Sequence, residues 1–256
     1  MKLGLFADKT EIAHESYERL TAKYDFVDIA ENPKAKVDVI VILGGDGFML
    51  HCMHNLEQTH IPLYGMNCGT IGFLLNEFND EDVLERIENA KEAKITPLIM
   101  EATDDKGETH KAVAFNEVSL LRETRQSTNI EVRVNGKTKI NHLVGDGILV
   151  ATPAGSSAYN FSVKGPIIPL GSDLLALTPI SPFRPRQWRG ALLPGDTEVE
   201  FVIHDLKKRP VSCVADYFEF RDIKSVKVSQ SKDTKITLLF DSKNPLQDKL
   251  ITEQFL

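Results

Sequence analysis

Cysteine is scarce in this chain, and that scarcity excludes two architectures at once. Only Cys52, Cys68 and Cys213 occur, an odd and scattered set without Cys-x-x-Cys spacing. Neither a disulfide framework nor a cysteine zinc site fits such a set, and a reducing cytoplasm suits it best. Long apolar runs are missing too. No stretch reaches the roughly 20 residues of a bilayer-spanning helix, and Met1-Lys2-Leu3-Gly4-Leu5-Phe6 is too short for the apolar core of a signal peptide. Positive charge is in the minority, with 30 Lys and Arg against 37 Asp and Glu and a net charge of −7. That balance argues against broad nucleic-acid binding, but a small anionic ligand needs only local positive potential. Three signature motifs are absent: Gly-x-Gly-x-x-Gly, a glycine loop followed by Lys-Ser/Thr, and Gly-x-Ser-x-Gly. Their absence removes the usual dinucleotide fingerprint, the Walker A loop and the nucleophile elbow of a serine hydrolase. There is no internal repeat and no low-complexity tract.

What is present describes a packed protein. The 256 residues are 42% apolar and 26% charged, enough for one large domain or two modest ones. Over the first hundred residues strand and helix patterns alternate. Strands read at Lys2–Ala7, Phe26–Ile29, Val37–Leu43 and Ile61–Met66, and helices at Thr10–Lys23 and Gly47–Leu56. Asn79 reads as the N-cap of a helix over Asp80–Ala93, with Val83, Leu84 and Ile87 as its apolar stripe. Such alternation predicts a doubly wound parallel sheet. The character changes near Ile95. From there to about Val228 short strands and turns dominate, among them the hairpin signal Asn135-Gly136 after the alternating Ile130–Val134. The expectation is therefore an α/β, doubly wound, Rossmann-like N-terminal domain over 1–95 and an all-β C-terminal domain over 96–235. The tail, 236–256, opens on the apolar run Ile236–Phe240 and is expected to return to the first domain.

The strongest chemical feature is Gly44-Gly45-Asp46-Gly47, where the β-branched run Val37–Leu43 stops and a helical stretch begins. A strand, a glycine turn and a helix start make an anion-binding corner, because the backbone can approach a ligand and free N–H groups point at it. Asp46 would repel a phosphate. It reads instead as aimed at a hydroxyl or at a metal carried by phosphates, the pairing that phosphoryl transfer to an alcohol requires. Taken alone, the corner also fits a plain tight turn. A second glycine turn, Asn67 to Leu74, can face the same crevice as the first, with Phe73 either a lid on a ring or a core residue. Asn116-Glu117 sets an amide beside a carboxylate in an apolar strand, suited to ribose or base recognition or simply to a solvated strand end. The run from Gly145 to Asn160 joins a glycine corner, a strand, a Thr-Pro turn and a loop of small residues, in which Ser156 and Ser157 offer hydroxyls to phosphate or base. His51 and His54 are spaced to share a helix face and read as polar surface or packing. Arg184, Arg186 and Arg189 around Trp188 read as a solvated loop or subunit contact before a phosphate site.

In this order the blocks resemble the NAD kinase family: Gly44–Gly47, Asn67 with Gly69–Leu74, Asn116-Glu117, Asp146-Gly147 through Thr152-Pro153, Gly155-Ser156, Ala158-Tyr159, and Thr178-Pro179-Ile180. The resemblance spans about Lys2 to Asp216. The first block is shared with lipid kinases and phosphofructokinases, so a lipid or sugar kinase is the rival enzyme, and a non-catalytic NAD(P)-binding protein the rival outside catalysis. The resemblance implies transfer of a phosphoryl group from ATP or polyphosphate to the adenosine 2′-hydroxyl of NAD, with NAD in a cleft between the domains. It implies Mg²⁺ arriving with ATP rather than in a protein cage, no nucleic-acid or membrane partner, and a cytoplasmic homodimer or homotetramer. Asp46 would lie beside the accepting hydroxyl, and Gly44, Gly45 and Gly47 along the phosphates. Asn116 and Glu117 would hold ribose and base, and Ser157, Ala158, Tyr159 and Ser162 would shape the adenine pocket. Asp146 would meet the other half of the dinucleotide or a neighbouring subunit's ligand. Four positions depart from the family pattern: Ser157 replaces a Thr, Lys164 a Gly, Phe183 a His, and Tyr217 the Gly of an Asp-Gly pair. The last two bear on contacts to a neighbouring subunit and to the phosphate donor.

Overall fold

The structure, a computed structural model, describes residues 1–69 and 72–242. Thr70, Ile71 and the part of the tail beyond Ser242 lie outside the described residues. The chain divides into two compact units, Met1–Ile95 joined by the chain from Thr234 on, and Thr96–Asp233.

The first unit runs β1 (Leu3–Ala7), α1 (Glu11–Thr21), β2 (Phe26–Asp28), β3 (Val39–Gly44), α2 (Asp46–Leu56), β4 (Leu63–Asn67), β5 (Asn76–Glu77), α3 (Val83–Glu88) and β6 (Lys91–Ile95). All six residues of β3 are buried, as expected of an interior strand covered on both faces. Thr10 caps α1 by accepting from Ala13 N, and Ala13, Ser16 and Leu20 form the buried side of that helix.

The second unit contains β7 (Leu98–Asp104), β8 (Thr109–Ala114), β9 (Glu117–Arg122), β10 (Thr128–Val134), β11 (Lys137–Gly145), β12 (Gly147–Ala151), α4 (Tyr159–Ser162), β13 (Leu174–Ile180), β14 (Ala191–Pro194), β15 (Val199–Ile203), β16 (Val211–Ala215), β17 (Phe218–Phe220) and β18 (Ile223–Gln230). These strands form two antiparallel sheets, ordered β11-β10-β15-β18-β7-β8 and β14-β13-β12-β9-β16-β17. The sheets share one core, to which Met100, Leu120, Val132, Ile148, Phe201 and Val226 belong. The hairpin at Asn135-Gly136 forms as its sequence predicts, both residues taking the positive φ of a primed turn.

A last strand, β19 (Ile236–Phe240), belongs to the first unit. It pairs parallel with β4 and antiparallel with β6, giving the order β2-β1-β3-β4-β19-β6, with β5 on the far end of β4. The sheet is therefore mixed rather than purely parallel. Asn76 is buried where the edge of β4 passes from β19 to β5. Its amide nitrogen donates to the carbonyls of Gly65 and Leu239, and its oxygen accepts from Asp241 N, so both polar atoms of the side chain are satisfied.

One helix differs from its sequence pattern. Asn79 does not cap a helix over 80–93, because its side chain turns onto the N–H of Glu81 in a local Asx turn. Helix α3 begins after Asp82 and ends at Asn89, whose amide bonds back to the Glu85 carbonyl. The next residues, Lys91–Ile95, find partners on β19 that a longer helix would forfeit. Leu84, assigned to the apolar stripe, is exposed, while Val83 and Ile87 are buried.

Candidate active site

Two clusters of candidate residues stand out, one in each unit. In the first unit β3 ends at Gly44 and α2 begins at Asp46, with Gly45 as an N-cap that brings no side-chain bond. The three glycines of the corner serve different ends. A Cβ on Gly44 would lie 2.8 Å from the ring of Phe48, so packing requires its absence. Gly45 and Gly47 face open space with nothing within 4 Å of a Cβ, and neither has a positive φ. Internal packing and backbone strain therefore leave these two glycines unexplained, whereas an approaching ligand accounts for both.

Asp46 has a definite task in this structure. Its Oδ2 accepts from Phe73 N at 2.8 Å and its Oδ1 from Leu74 N at 2.9 Å. The carboxylate thus latches the glycine turn that follows β4, and it brings Phe73, half-buried, up to the corner. The carboxylate also stands on the first residue of α2, where the helix dipole favours negative charge.

In the second unit Phe115, Asn116 and Glu117 lead from β8 into β9. Thr152, at the end of β12, takes up the acceptors of this segment: its hydroxyl donates to the Phe115 carbonyl at 2.6 Å and its N–H to the Asn116 carbonyl at 2.9 Å. Gly155 lies flat against the same backbone, and a Cβ there would stand 2.2 Å from the Asn116 carbonyl oxygen. Gly155→Ala is accordingly expected to destabilise this unit by about 1–3 kcal/mol, read as a lower denaturant midpoint.

The side chains of the pair are left wanting. Asn116 Oδ1 and Glu117 Oε2 are buried and lack any hydrogen-bond partner. Burial, and secondarily the charge of Asp216, pushes the Glu117 carboxyl up to about 8. Tyr159 on α4 is close enough to feel both Glu117 and Asp146. Its hydroxyl is raised mainly by burial, then by those two charges. Asp146 and Tyr159 line an open hollow of about 650 Å³ together with Leu121, Arg122, Arg125 and Ile180. Arg122, a residue that none of the sequence motifs includes, donates from Nε to Asp146 Oδ1 at 2.6 Å.

The loop after β12 divides between scaffold and surface. Ser156, read from sequence as a ligand hydroxyl, is buried and spent internally: it donates to the Pro153 carbonyl and accepts from Ile168 N. Asn160 is likewise structural, bonded to Ser156 O, Pro166 O and Thr178 Oγ1. Ser157, Ala158 and Ser162 stay partly or fully accessible around Tyr159. Lys164 holds a left-handed φ of 67°, which the family's glycine would adopt without strain. His51 bonds to Asn55 on the same helix. Among the described residues one group of three metal-ligating side chains occurs, Asp104, Glu108 and His110. It belongs to the β7–β8 hairpin, apart from every candidate residue, and Asp104 already accepts from two backbone amides and meets His110. No such group lies at Asp46 among the described residues. Among those residues, too, no helix is long and apolar enough to cross a membrane.

The fold is that of two solved kinases. Yeast NADH kinase complexed with NADH matches with a TM-score of 0.80 at 22% identity, over 99% of this chain and 86% of that one. An NAD kinase from Archaeoglobus fulgidus in complex with ATP matches with a TM-score of 0.78 at 22% identity, over 99% and 98%. Family profiles are more specific: residues 5–95 match the ATP-NAD kinase N-terminal domain and residues 115–238 the ATP-NAD kinase C-terminal domain. The NAD kinase of Caulobacter vibrioides is 50% identical over 249 residues, 97% of this chain and 94% of the relative. That of Xylella fastidiosa (strain 9a5c) is 47% identical over 254 residues, 99% and 96%. The chain belongs to the NAD kinase family, and it is an enzyme, a kinase.

Proposed function

We propose that this kinase transfers the terminal phosphoryl group of ATP to the 2′-hydroxyl of the adenosine ribose of NAD, giving NADP, with polyphosphate as the alternative donor. One observation carries the reading: Asn116 Oδ1 and Glu117 Oε2 are buried acceptors without donors. An orphaned buried polar atom costs about 1–3 kcal/mol, and the hydroxyl and amino protons of an adenosine moiety would remove that cost. In the first unit Asp46 is assigned to orient the accepting hydroxyl and take its proton. Gly45, Gly47 and the first turn of α2 are assigned to the phosphates. Transfer proceeds through a loose transition state, so positioning and electrostatics dominate the catalysis. Mg²⁺ enters as part of the nucleotide substrate and neutralises charge on the donor phosphates. Tyr159, with Ser157, Ala158 and Ser162, is assigned to the adenine, and Asp146 to the other half of the dinucleotide. A homodimer or homotetramer in the cytoplasm belongs to the same proposal. The test is direct: the purified protein is incubated with NAD, Mg²⁺ and either ATP or polyphosphate, and NADP is read with a dehydrogenase specific for it. NADP is expected to form with ATP. No NADP with either donor would sink the reading.

A further inference from the structure

Asp216 departs from its surroundings in conformation and in bonding. It is the first residue of the two-residue turn between β16 and β17 and holds a left-handed φ of 53°. Its Oδ2 accepts from Phe115 N at 2.7 Å, and its Oδ1 accepts from Asn116 N at 2.9 Å and from Glu117 N at 3.2 Å. Three consecutive amides thus converge on one carboxylate, a concave arrangement of N–H groups suited to an anion. The N–H of Asp216 returns the contact by donating to the Glu117 carbonyl at 3.1 Å. On the opposite side Thr152 occupies the carbonyls of Phe115 and Asn116. The segment is therefore held through its donors by Asp216 and through its acceptors by Thr152, while the side chains of Asn116 and Glu117 keep their unpartnered oxygens.

From this geometry we infer that Asp216 is a positioning residue, whose carboxylate fixes the backbone of Phe115–Glu117 so that Asn116 and Glu117 present their open oxygens to the nucleoside. The inference rests on the reading that this pair holds the nucleoside. It assigns to Asp216 the role of an internal anion, with three of about four acceptor positions committed to the backbone. A second consequence follows from charge. Asp216, from the β16–β17 turn, holds the Glu117 carboxyl up by its charge, and Glu117 in turn raises Tyr159 on α4. Removing the Asp216 charge therefore lets Glu117 ionise at lower pH.

Asp216→Asn keeps the size of the side chain but loses the charge and one accepting oxygen. The expected result is a KM for NAD raised about tenfold or more, with kcat at saturating NAD within about threefold of the parent, since Asp46 is untouched. The inflection of kcat/KM against pH that belongs to Glu117 should move to lower pH, and the same substitution in a Glu117→Gln background should produce no such shift. Hydrogen exchange supplies a readout on the unsubstituted protein: the amides of Phe115, Asn116 and Glu117 should be protected, and protection should fall in the variant. A variant that lowers kcat alone, with KM and pH profile unchanged, overturns the positioning role. Rapid exchange of those three amides in the parent overturns it as well, whether or not the variant folds. Asn116→Ala separates the two layers. If it leaves the KM for NAD unchanged, the nucleoside reading fails; if it raises KM and Asp216→Asn does not, only the role of Asp216 fails.

Discussion

Exchanging Asp46 for alanine is expected to cut kcat for NADP formation by a factor of about 10²–10⁴, the usual contribution of a positioned base. Binding of NAD, measured directly by calorimetry, should weaken far less. The carboxylate sits at the only acidic position of the glycine corner, on the first residue of α2, and the flanking Gly45 and Gly47 leave the approach open. The substitution also removes the acceptors of Phe73 N and Leu74 N. Asp46→Asn separates the two losses. It keeps one accepting oxygen for the turn but cannot take a proton, so its kcat should fall as far as that of the alanine variant while amide exchange at Phe73 or Leu74 rises less. Near-normal turnover by the asparagine variant would remove Asp46 from the chemistry and leave it as a loop latch.

The second large effect is expected in stability against pH. Glu117 has a folded-state pKa of about 8, raised first by burial and then by Asp216, against about 4.5 in its ordinary state. Between these values the folded protein keeps a proton that the unfolded chain has released, so stability falls as pH rises. The loss begins near pH 4.5, proceeds at up to about 1.4 kcal/mol per pH unit, and levels off above pH 8. Glu117→Gln carries no titrating proton and should escape this decline. Denaturant midpoints of the two proteins at pH 5.5, 7 and 8.5 check the sign: the gap should open in favour of the glutamine variant as pH rises. Parallel curves would show that Glu117 is ionised in the fold throughout, and its acceptor pair would then need another account.

Much of the scaffold was legible because it is written in short-range patterns. The run into Gly44 marks an interior strand and the corner after it, Thr10 announces the start of α1, and Asn135-Gly136 announces a hairpin. The helix over 80–93 misled because its residues have helical periodicity, while the competing partner of Lys91–Ile95 is β19, supplied from the other end of the chain. The candidate site was legible as a set of residue types and illegible as a set of bonds. Nothing near Asp46 in sequence indicates that Phe73 and Leu74 are its partners. Arg122 and Asp146 are 24 positions apart, and Asp216 is about 100 positions from the amides it gathers. Ser156 was misread for the same reason: its hydroxyl goes to Ile168, beyond a Gly-Pro turn, and a local pattern of small residues cannot distinguish a hydroxyl offered to a ligand from one consumed by the loop.

The place of β19 has a consequence for synthesis. Everything from Thr96 to Asp233 must leave the ribosome before the strand that separates β4 from β6 exists. Until then β4 exposes part of an unpaired edge, and unpaired edges recruit other strands. The β-sandwich, drawn from one continuous stretch, can close first, while the first unit waits for β19. A message broken just upstream of Ile236 would cost the protein an interior strand of its first sheet.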